Sequence, residues 1–139
     1  MIEFVYETDF QIDDQKKYTD WLIKLATSEG YIAEQICYIL SSDEKVLLIN
    51  EKYLKHTDYT DVITFDYTRG KQLQGDVFIS IDRVQENALL FKTGTDEELR
   101  RVMAHGMLHL MGYNDKSELE KEEMRRKEDE KLKMFHVEQ

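Results

Sequence analysis

Two histidines four residues apart, followed by an aspartate, are the residues of this chain best suited to metal chemistry. They are His105, His109 and Asp115 in the segment "HGMLHLMGYND", residues 105–115. On an α-helix, side chains at i and i+4 lie about 40° apart, so both imidazoles can direct a ring nitrogen at one point. Gly112 tolerates the left-handed conformation that ends a helix, and the reversed chain could bring the Asp115 carboxylate to that point. Two imidazoles and a carboxylate that leave a fourth position open are typical of a catalytic zinc site.

Each of these residues also has a purely structural interpretation. The helix that carries the histidines is apolar on nearly every side, with Met103 and Met107 opposite to them, so it is predicted to be buried. Paired histidines on a buried helix can simply be hydrogen-bonded core residues. Asp115 and Glu118 have the spacing of a capping box for the next helix, and Gly112 needs no role beyond ending its own. Spacing alone therefore leaves metal ligation and helix capping open for Asp115.

The elements that must position these residues are a mixture of strands and helices. Hydrophobic periodicity predicts strands over 2–8, 34–40, 61–65 and 75–81, and helices over 13–30, 41–56, 82–94, 95–112 and 116–135. Helices gathered at the end beside a short mixed sheet favour the α+β class. We therefore expect one domain over residues 1–139, in which a small mixed β-sheet of about four strands packs with helices. The metal-binding helix lies near the C-terminus, as in a zincin-like arrangement.

Several helix ends carry capping signals. Ser41 with Glu44, and Thr95 with Glu98, have capping-box spacing, and Gly94 lies where the helix before the histidines should end. The final helical segment is dense in charges of both signs spaced four residues apart, with few apolar residues. This pattern is typical of a solvated surface helix.

The composition indicates a folded chain that has neither a disulfide framework nor a cysteine-based zinc site. The 139 residues are 41% hydrophobic and include 8 Tyr, 6 Phe and 1 Trp, enough for a real core. The lone cysteine, Cys37, excludes an internal disulfide and any multi-cysteine zinc site. The N-terminus resembles no export signal and no apolar run approaches membrane-spanning length, so we expect a soluble, cytoplasmic protein. The formal charge of −10 repels polyanions, so any nucleic acid must be bound by a local basic cleft.

The histidine segment resembles the metzincin proteases in part. In those proteases a glutamate directly after the first histidine acts as the general base. Here Gly106 occupies that position, and glycine can neither polarise a metal-bound water nor accept its proton. A peptidase is therefore the weaker interpretation.

The segment is more similar to the signature of the YbeY family, His-Gly-x-Leu-His-Leu-x-Gly-Tyr-Asp-His. Two further blocks resemble that family in order and approximate spacing. The first consists of Asn50, Tyr53 and "TDVITF" at 60–65, and the second is "GDVFIS" at 75–80. The similarity covers most of the chain.

This resemblance implies a metal-dependent single-strand endoribonuclease that acts in ribosomal RNA maturation and ribosome quality control. It implies one divalent metal ion, with Zn²⁺ as the expected species, held by His105, His109 and Asp115. The expected partners are ribosomal RNA and ribosomal particles or ribosome-associated proteins, with no membrane and no DNA. A metal-stabilised ribosome-assembly factor with little catalysis is the alternative from another class.

The chain departs from the family pattern at two functional positions. Asp115 replaces the third histidine of the signature, which keeps a ligand but makes it anionic and harder. Leu54 stands where an arginine follows the tyrosine in relatives; Lys52 and Lys55 are nearby substitutes or ordinary surface lysines. Both this difference and the acidic charge favour the assembly-factor alternative.

Other polar residues have two interpretations each, and no general base can be assigned from the sequence. Asp61 could orient a ligand histidine or cap a turn before its strand. Arg101, one turn before His105, could contact phosphate or pair with Glu97 or Glu98 on its own helix. The loop residues Arg69 and Lys71 are candidate RNA contacts or solvated charges.

Overall fold

A computed structural model of the protein describes residues 1–136. The strands are β1 (Ile2–Tyr6), β2 (Ile32–Ser41), β3 (Val62–Asp66) and β4 (Gln72–Ser80). The helices are α1 (Gln15–Ser28), α2 (Asp43–Ile49), α3 (Ile81–Phe91), α4 (Thr95–Leu110) and α5 (Glu118–Met134). A π-helical turn, Asn50–Leu54, continues α2. Within the described residues, no helix combines the length and the apolar character needed to cross a membrane.

The strands form one mixed sheet in the order β1-β2-β4-β3. β1 and β4 both run parallel to β2, whereas β3 pairs antiparallel with β4 and forms an edge of the sheet. This arrangement confirms the predicted α+β class with a small mixed sheet and a histidine helix near the C-terminus. The edge strand β3 lies against α4, so the residues of β3 are available to line a site on that helix.

The main core lies between one face of the sheet and the helices α1, α4 and α5. Its strand residues include Tyr38, Val77 and Ile79, all fully buried. A smaller apolar cluster on the opposite face joins α2 to β3 through Val46 and Ile63. The histidine helix therefore packs directly on the sheet, and burial fixes its position.

Helix α5 packs on the core by one face, so the prediction of a merely solvated surface helix was wrong in part. Met124, Glu128 and Lys131 are buried, while most of its other residues are exposed. The indole Nε1 of Trp21 donates a hydrogen bond of 2.8 Å to the Lys131 carbonyl. The Trp21 ring also packs edge-on against Phe135, just beyond α5. These contacts attach α5 to α1.

Several predicted caps lie one or two residues away from the observed ones. Ser42, not Ser41, caps α2 by accepting a hydrogen bond from the Lys45 backbone. Gly94 does not end α3, which stops at Lys92 in the left-handed conformation; Gly94 instead precedes α4, and no Thr95 capping box forms. Ser41 and Ser42 are adjacent residues with nearly the same spacing, which explains the first of these errors.

Candidate metal centre

Three ligand atoms meet at the C-terminal half of α4. His105 Nε2 lies 3.0 Å from His109 Nε2, and Asp115 Oδ2 lies 3.2 Å from His105 Nε2 and 3.3 Å from His109 Nε2. The three side chains are 20%, 26% and 38% exposed, so the triangle is partly covered but open on one side. The structure thus brings together all three residues that the sequence predicted as ligands.

The dimensions of this triangle suit a divalent ion. A tetrahedral ion with ligand bonds of about 2.0 to 2.1 Å separates its ligand atoms by about 3.3 Å, close to the three observed separations. Two imidazole lone pairs 3.0 Å apart also repel each other unless a proton or a metal ion lies between them. The donor set and its geometry therefore fit a metal ion held by His105, His109 and Asp115.

Two glycines allow the backbone to bring the histidine helix and the Asp115 loop into position. Gly106 is buried on the sheet, and a Cβ added there would lie 2.8 Å from Val77 Cγ1. The absence of a side chain lets α4 approach β4 closely. Gly112 has a φ of +100°, and the Tyr113 amide donates to the Leu108 carbonyl, so the chain reverses directly after α4. That reversal returns Asp115 to the histidines.

Asp115 does not cap the following helix. Ser117 and Glu120 form the capping box of α5: the Ser117 hydroxyl accepts from the Glu120 amide, and the Glu120 carboxylate accepts from the Ser117 amide. The interpretation of Asp115 with Glu118 as a capping box is therefore wrong. The Asp115 carboxylate is left facing the two imidazoles.

A buried carboxylate on α5 supports the first histidine. Glu128 Oε2 lies 2.6 Å from His105 Nδ1, and Glu128 Oε1 accepts a hydrogen bond of 3.0 Å from Arg101 Nη1. Asp129 accepts a second hydrogen bond from Arg101, at 2.7 Å. When Nδ1 of His105 carries its proton and donates to Glu128, Nε2 is left with a lone pair directed at His109 and Asp115. Glu128 therefore fixes both the orientation and the tautomer that a metal ligand needs.

Acidic neighbours determine the direction in which the pKa of His105 shifts. Burial lowers the pKa of His105, but the hydrogen bond and charge of Glu128 outweigh it and raise the pKa overall, aided by Asp115 and Asp61. Burial raises the pKa of the Asp61 carboxyl, an effect that the positive charge of His105 partly offsets. The acidic surroundings thus favour a positive charge at the position of the triangle.

A second buried ion cluster joins α5 to the loop that carries Asp115. The Glu29 carboxylate accepts hydrogen bonds from Lys131 at 2.7 Å, from Lys127 at 2.9 Å and from the Tyr113 hydroxyl at 2.8 Å. Burial raises the pKa of Glu29, but these three donors outweigh it and lower the pKa to about 2. The cluster therefore fixes α5 and the post-α4 loop against the end of α1.

Two clefts beside the triangle include Asp115 in their lining. The larger, about 610 Å³, runs along the edge strand β3 and is lined by Leu54 and Lys116 together with residues 60–64. The smaller, about 370 Å³, lies between α4 and α5 and is lined by His105, Asp115, Lys121, Met124, Arg125 and Glu128. Both clefts reach His105 and Asp115, so a substrate in either cleft would lie beside candidate metal ligands.

The other residues singled out in the sequence have different outcomes. Arg101 pairs with α5 rather than with Glu97 or Glu98 of its own helix. Asp61 lines the cleft walls beside His105, and in the described residues its carboxylate makes no hydrogen bond to either histidine. Leu54 lines the larger cleft, so this part of the wall is apolar where the family resemblance predicted an arginine.

The candidate cations outside α4 lie away from the triangle. Lys71 packs over the Tyr31 ring at 4.2 Å, and Lys52 lies 5.3 Å from the centre of the Tyr53 ring. Neither residue lines the two clefts, and the same is true of Arg69 and Lys55. The structure therefore gives these four residues no contact with the candidate site.

Sequence reasoning missed Glu128. The final helix contains many glutamates, and the partner of this one is 23 residues away in the chain. The available signal was weak: Met124, Glu128 and Lys131 recur at helical spacing on one stripe, which marks the side of α5 that faces the core.

Two histidines on a helix beside an edge strand and an aspartate on the loop that follows, with one side open, define a candidate metallohydrolase. The family model described as Endoribonuclease YbeY matches residues 3–136. Over 139 residues the chain is 50% identical to the Endoribonuclease YbeY of Flavobacterium johnsoniae, covering 100% of both chains. It is 46% identical over 132 residues to that of Bacteroides thetaiotaomicron, covering 93% of this chain and 96% of the relative.

A solved structure supports the fold. The solution structure of TM1509 from Thermotoga maritima matches with a TM-score of 0.71 and 24% identity, over 97% of this chain and 89% of that one. The family is shown by the sequence matches: the chain belongs to the endoribonuclease YbeY family.

Proposed function

We propose that this chain is a metal-dependent single-strand endoribonuclease that acts in ribosomal RNA maturation and ribosome quality control in the cytoplasm. Its partners would be ribosomal RNA and ribosomal particles or ribosome-associated proteins, with neither DNA nor a membrane involved. Membership of the endoribonuclease YbeY family supports the RNA substrate. The observation that carries the metal dependence is the triangle of His105, His109 and Asp115, with sides of 3.0 to 3.3 Å.

The proposed ion is Zn²⁺, because two imidazole nitrogens and a carboxylate oxygen are among its usual donors. When bound, a divalent ion supplies a Lewis acid that activates water and offsets charge on phosphoryl oxygens. The chain itself holds the two Nε2 lone pairs and one carboxylate oxygen at one point. Glu128 keeps the proton of His105 on Nδ1 by accepting its hydrogen bond.

The test is cleavage of a single-stranded RNA by purified protein whose metal content is known. We expect about one divalent ion per chain, cleavage that stops on addition of a chelator, and loss of both metal and cleavage in His109→Ala. The matched control is His56→Ala, which removes an exposed histidine outside the site. Full cleavage by metal-free protein, or by His109→Ala, would refute the proposal.

The variant Asp115→Ala tests the third ligand. We expect reduced metal occupancy with little change in thermal stability, because the capping box of α5 belongs to Ser117 and Glu120. Unchanged metal content would remove Asp115 from the ligand set.

Two observations favour the alternative of a metal-stabilised assembly factor with little catalysis. The net charge is −10, and Leu54 makes part of the larger cleft apolar. Stoichiometric metal and binding to ribosomal particles, without RNA cleavage, would support this alternative. The less favoured peptidase would require metal-dependent casein turnover, but Gly106 packs on Val77 and gives its position no base.

A further inference from the structure

The smaller cleft beside the candidate metal ligands has two cations on one wall. Lys121 and Arg125 are one turn apart on α5, so their side chains project from the same face of the helix. Both line the cleft that also contains His105 and Asp115. Both side chains carry positive charge in a chain whose net charge is −10.

The Arg125 guanidinium is available for a ligand. In the part of the chain that the structure describes, no hydrogen bond or ion pair involves it. Its charge acts at longer range on Glu98, where burial raises the carboxyl pKa and the charges of Arg101 and Arg125 partly offset the rise. Arg101, by contrast, is fully engaged by Glu128 and Asp129. Among the arginines near the triangle, Arg125 is therefore the one with free donors.

Lys121 is held only weakly. Its Nζ lies 3.5 Å from Glu118, and the two side chains are 59% and 88% exposed. An exposed ion pair of this kind contributes little and exchanges readily for another anion.

The acidic groups of the same cleft are already occupied. Both oxygens of Glu128 are engaged, one by His105 and the other by Arg101. Asp115 Oδ2 faces the two imidazole nitrogens. Lys121 and Arg125 are therefore the groups of this cleft with donors left for a phosphate group.

We propose that Lys121 and Arg125 form a phosphate-binding pair that holds the backbone of single-stranded RNA beside the candidate metal centre. Arg125 supplies a planar fork of donors that matches two phosphate oxygens, and Lys121 supplies a point charge one turn away. They are substrate-positioning residues, since they contact the phosphate without entering the ligand triangle. This inference rests on the proposed endoribonuclease function.

The test compares Arg125→Ala with Arg126→Ala in the metal-loaded protein. Both variants change the net charge equally and lie on the same helix, but Arg126 lines only the outer surface and pairs with Glu123 at 3.4 Å. The probe is a fluorescein-labelled, cleavage-resistant analogue of single-stranded RNA, whose integrity is checked on a gel. Fluorescence anisotropy measures its binding at several salt concentrations. Thermal melting and metal content confirm that each variant is folded and loaded.

We expect Arg125→Ala to weaken binding about five- to tenfold at low salt, and Lys121→Ala about two- to fivefold. The slope of log K against log salt should become less negative by about 0.7 for each lost contact, as expected for single strands. Arg125→Lys should restore part of the affinity. Arg126→Ala should stay within about twofold of wild type with an unchanged slope.

Equal losses in Arg125→Ala and Arg126→Ala would mean that only long-range charge matters, and would overturn the pair as a site. If the wild-type protein cleaves RNA and Arg125→Ala binds RNA as tightly as wild type, this inference is overturned and the proposed function stays intact. Wild-type protein that neither binds nor cuts RNA would overturn both.

Discussion

Replacing Glu128 tests whether the candidate metal centre depends on a residue that is not itself a ligand. The carboxylate is buried, with the residue 5% exposed, and lies 2.6 Å from His105 Nδ1. Removing such a supporting group costs about 10- to 100-fold in metal affinity, or about 1.4 to 2.7 kcal/mol. In Glu128→Gln the amide oxygen can still accept the Nδ1 proton, so we expect a loss of about tenfold. In Glu128→Ala the support disappears, so we expect a loss near 100-fold.

The assay is competition for Zn²⁺ against a chromophoric chelator. The loss should be greatest near pH 8 and smaller near pH 6, because Glu128 raises the pKa of His105 and thereby also strengthens proton binding to the ligand. The control is Glu123→Gln, which changes the same charge on an exposed part of α5. A folded Glu128→Ala protein that binds Zn²⁺ within about twofold of wild type would refute the reasoning.

Three further predictions concern the elements that hold the site. Gly106→Ala should lower the free energy of unfolding, measured in urea titrations, by about 1 to 2 kcal/mol. The added Cβ would lie 2.8 Å from Cγ1 of the stiff Val77 side chain. A variant more stable than wild type would contradict this. Ser117→Ala should lower the free energy of unfolding by about 1 kcal/mol, because the cap of α5 is lost, while the metal content stays unchanged. Loss of metal would show that Ser117 also supports the metal centre. Glu29→Gln should cost about 2 to 3 kcal/mol at pH 7, since the pKa of Glu29 falls from 4.5 to about 2 on folding. A depressed carboxyl pKa stabilises the fold above about pH 4.5, so the difference between Glu29→Gln and wild type should shrink as the pH falls towards 2; a constant difference would exclude this cause.

The ligand triangle was predictable because its three residues lie within eleven positions of one another in the sequence. His105 and His109 are one helical turn apart on a segment whose apolar surroundings require burial, and Gly112 marks the reversal that returns Asp115. These features follow from the periodicity of the helix and from the conformational freedom of glycine. The order of strands and helices was predictable for the same reason, since each element has its own hydrophobic pattern.

The support of the triangle was not predictable, because its contacts are distant in the sequence. Glu128 meets His105 across 23 residues, and Glu29 meets Lys131 across 102 residues. Glu128 lies among other charged residues of the final helix, whereas Glu29 stands alone between Ser28 and Gly30. In both cases only tertiary packing decides which partner the carboxylate meets. The cap of α5 was mispredicted because Asp115 and Ser117 are both suitable capping residues; in the structure Ser117 caps the helix and Asp115 faces the histidines.

The single tryptophan gives the molecule an internal optical reporter. Trp21 is buried, its indole donates to the Lys131 carbonyl, and its ring packs on Phe135. Detachment of the last helix would break that hydrogen bond, admit water to the ring and change its emission. Because the same helix carries Glu128, the intrinsic fluorescence of unlabelled protein follows whether the carboxylate behind His105 is in place. Attachment of α5 can therefore be followed in real time without attaching a dye.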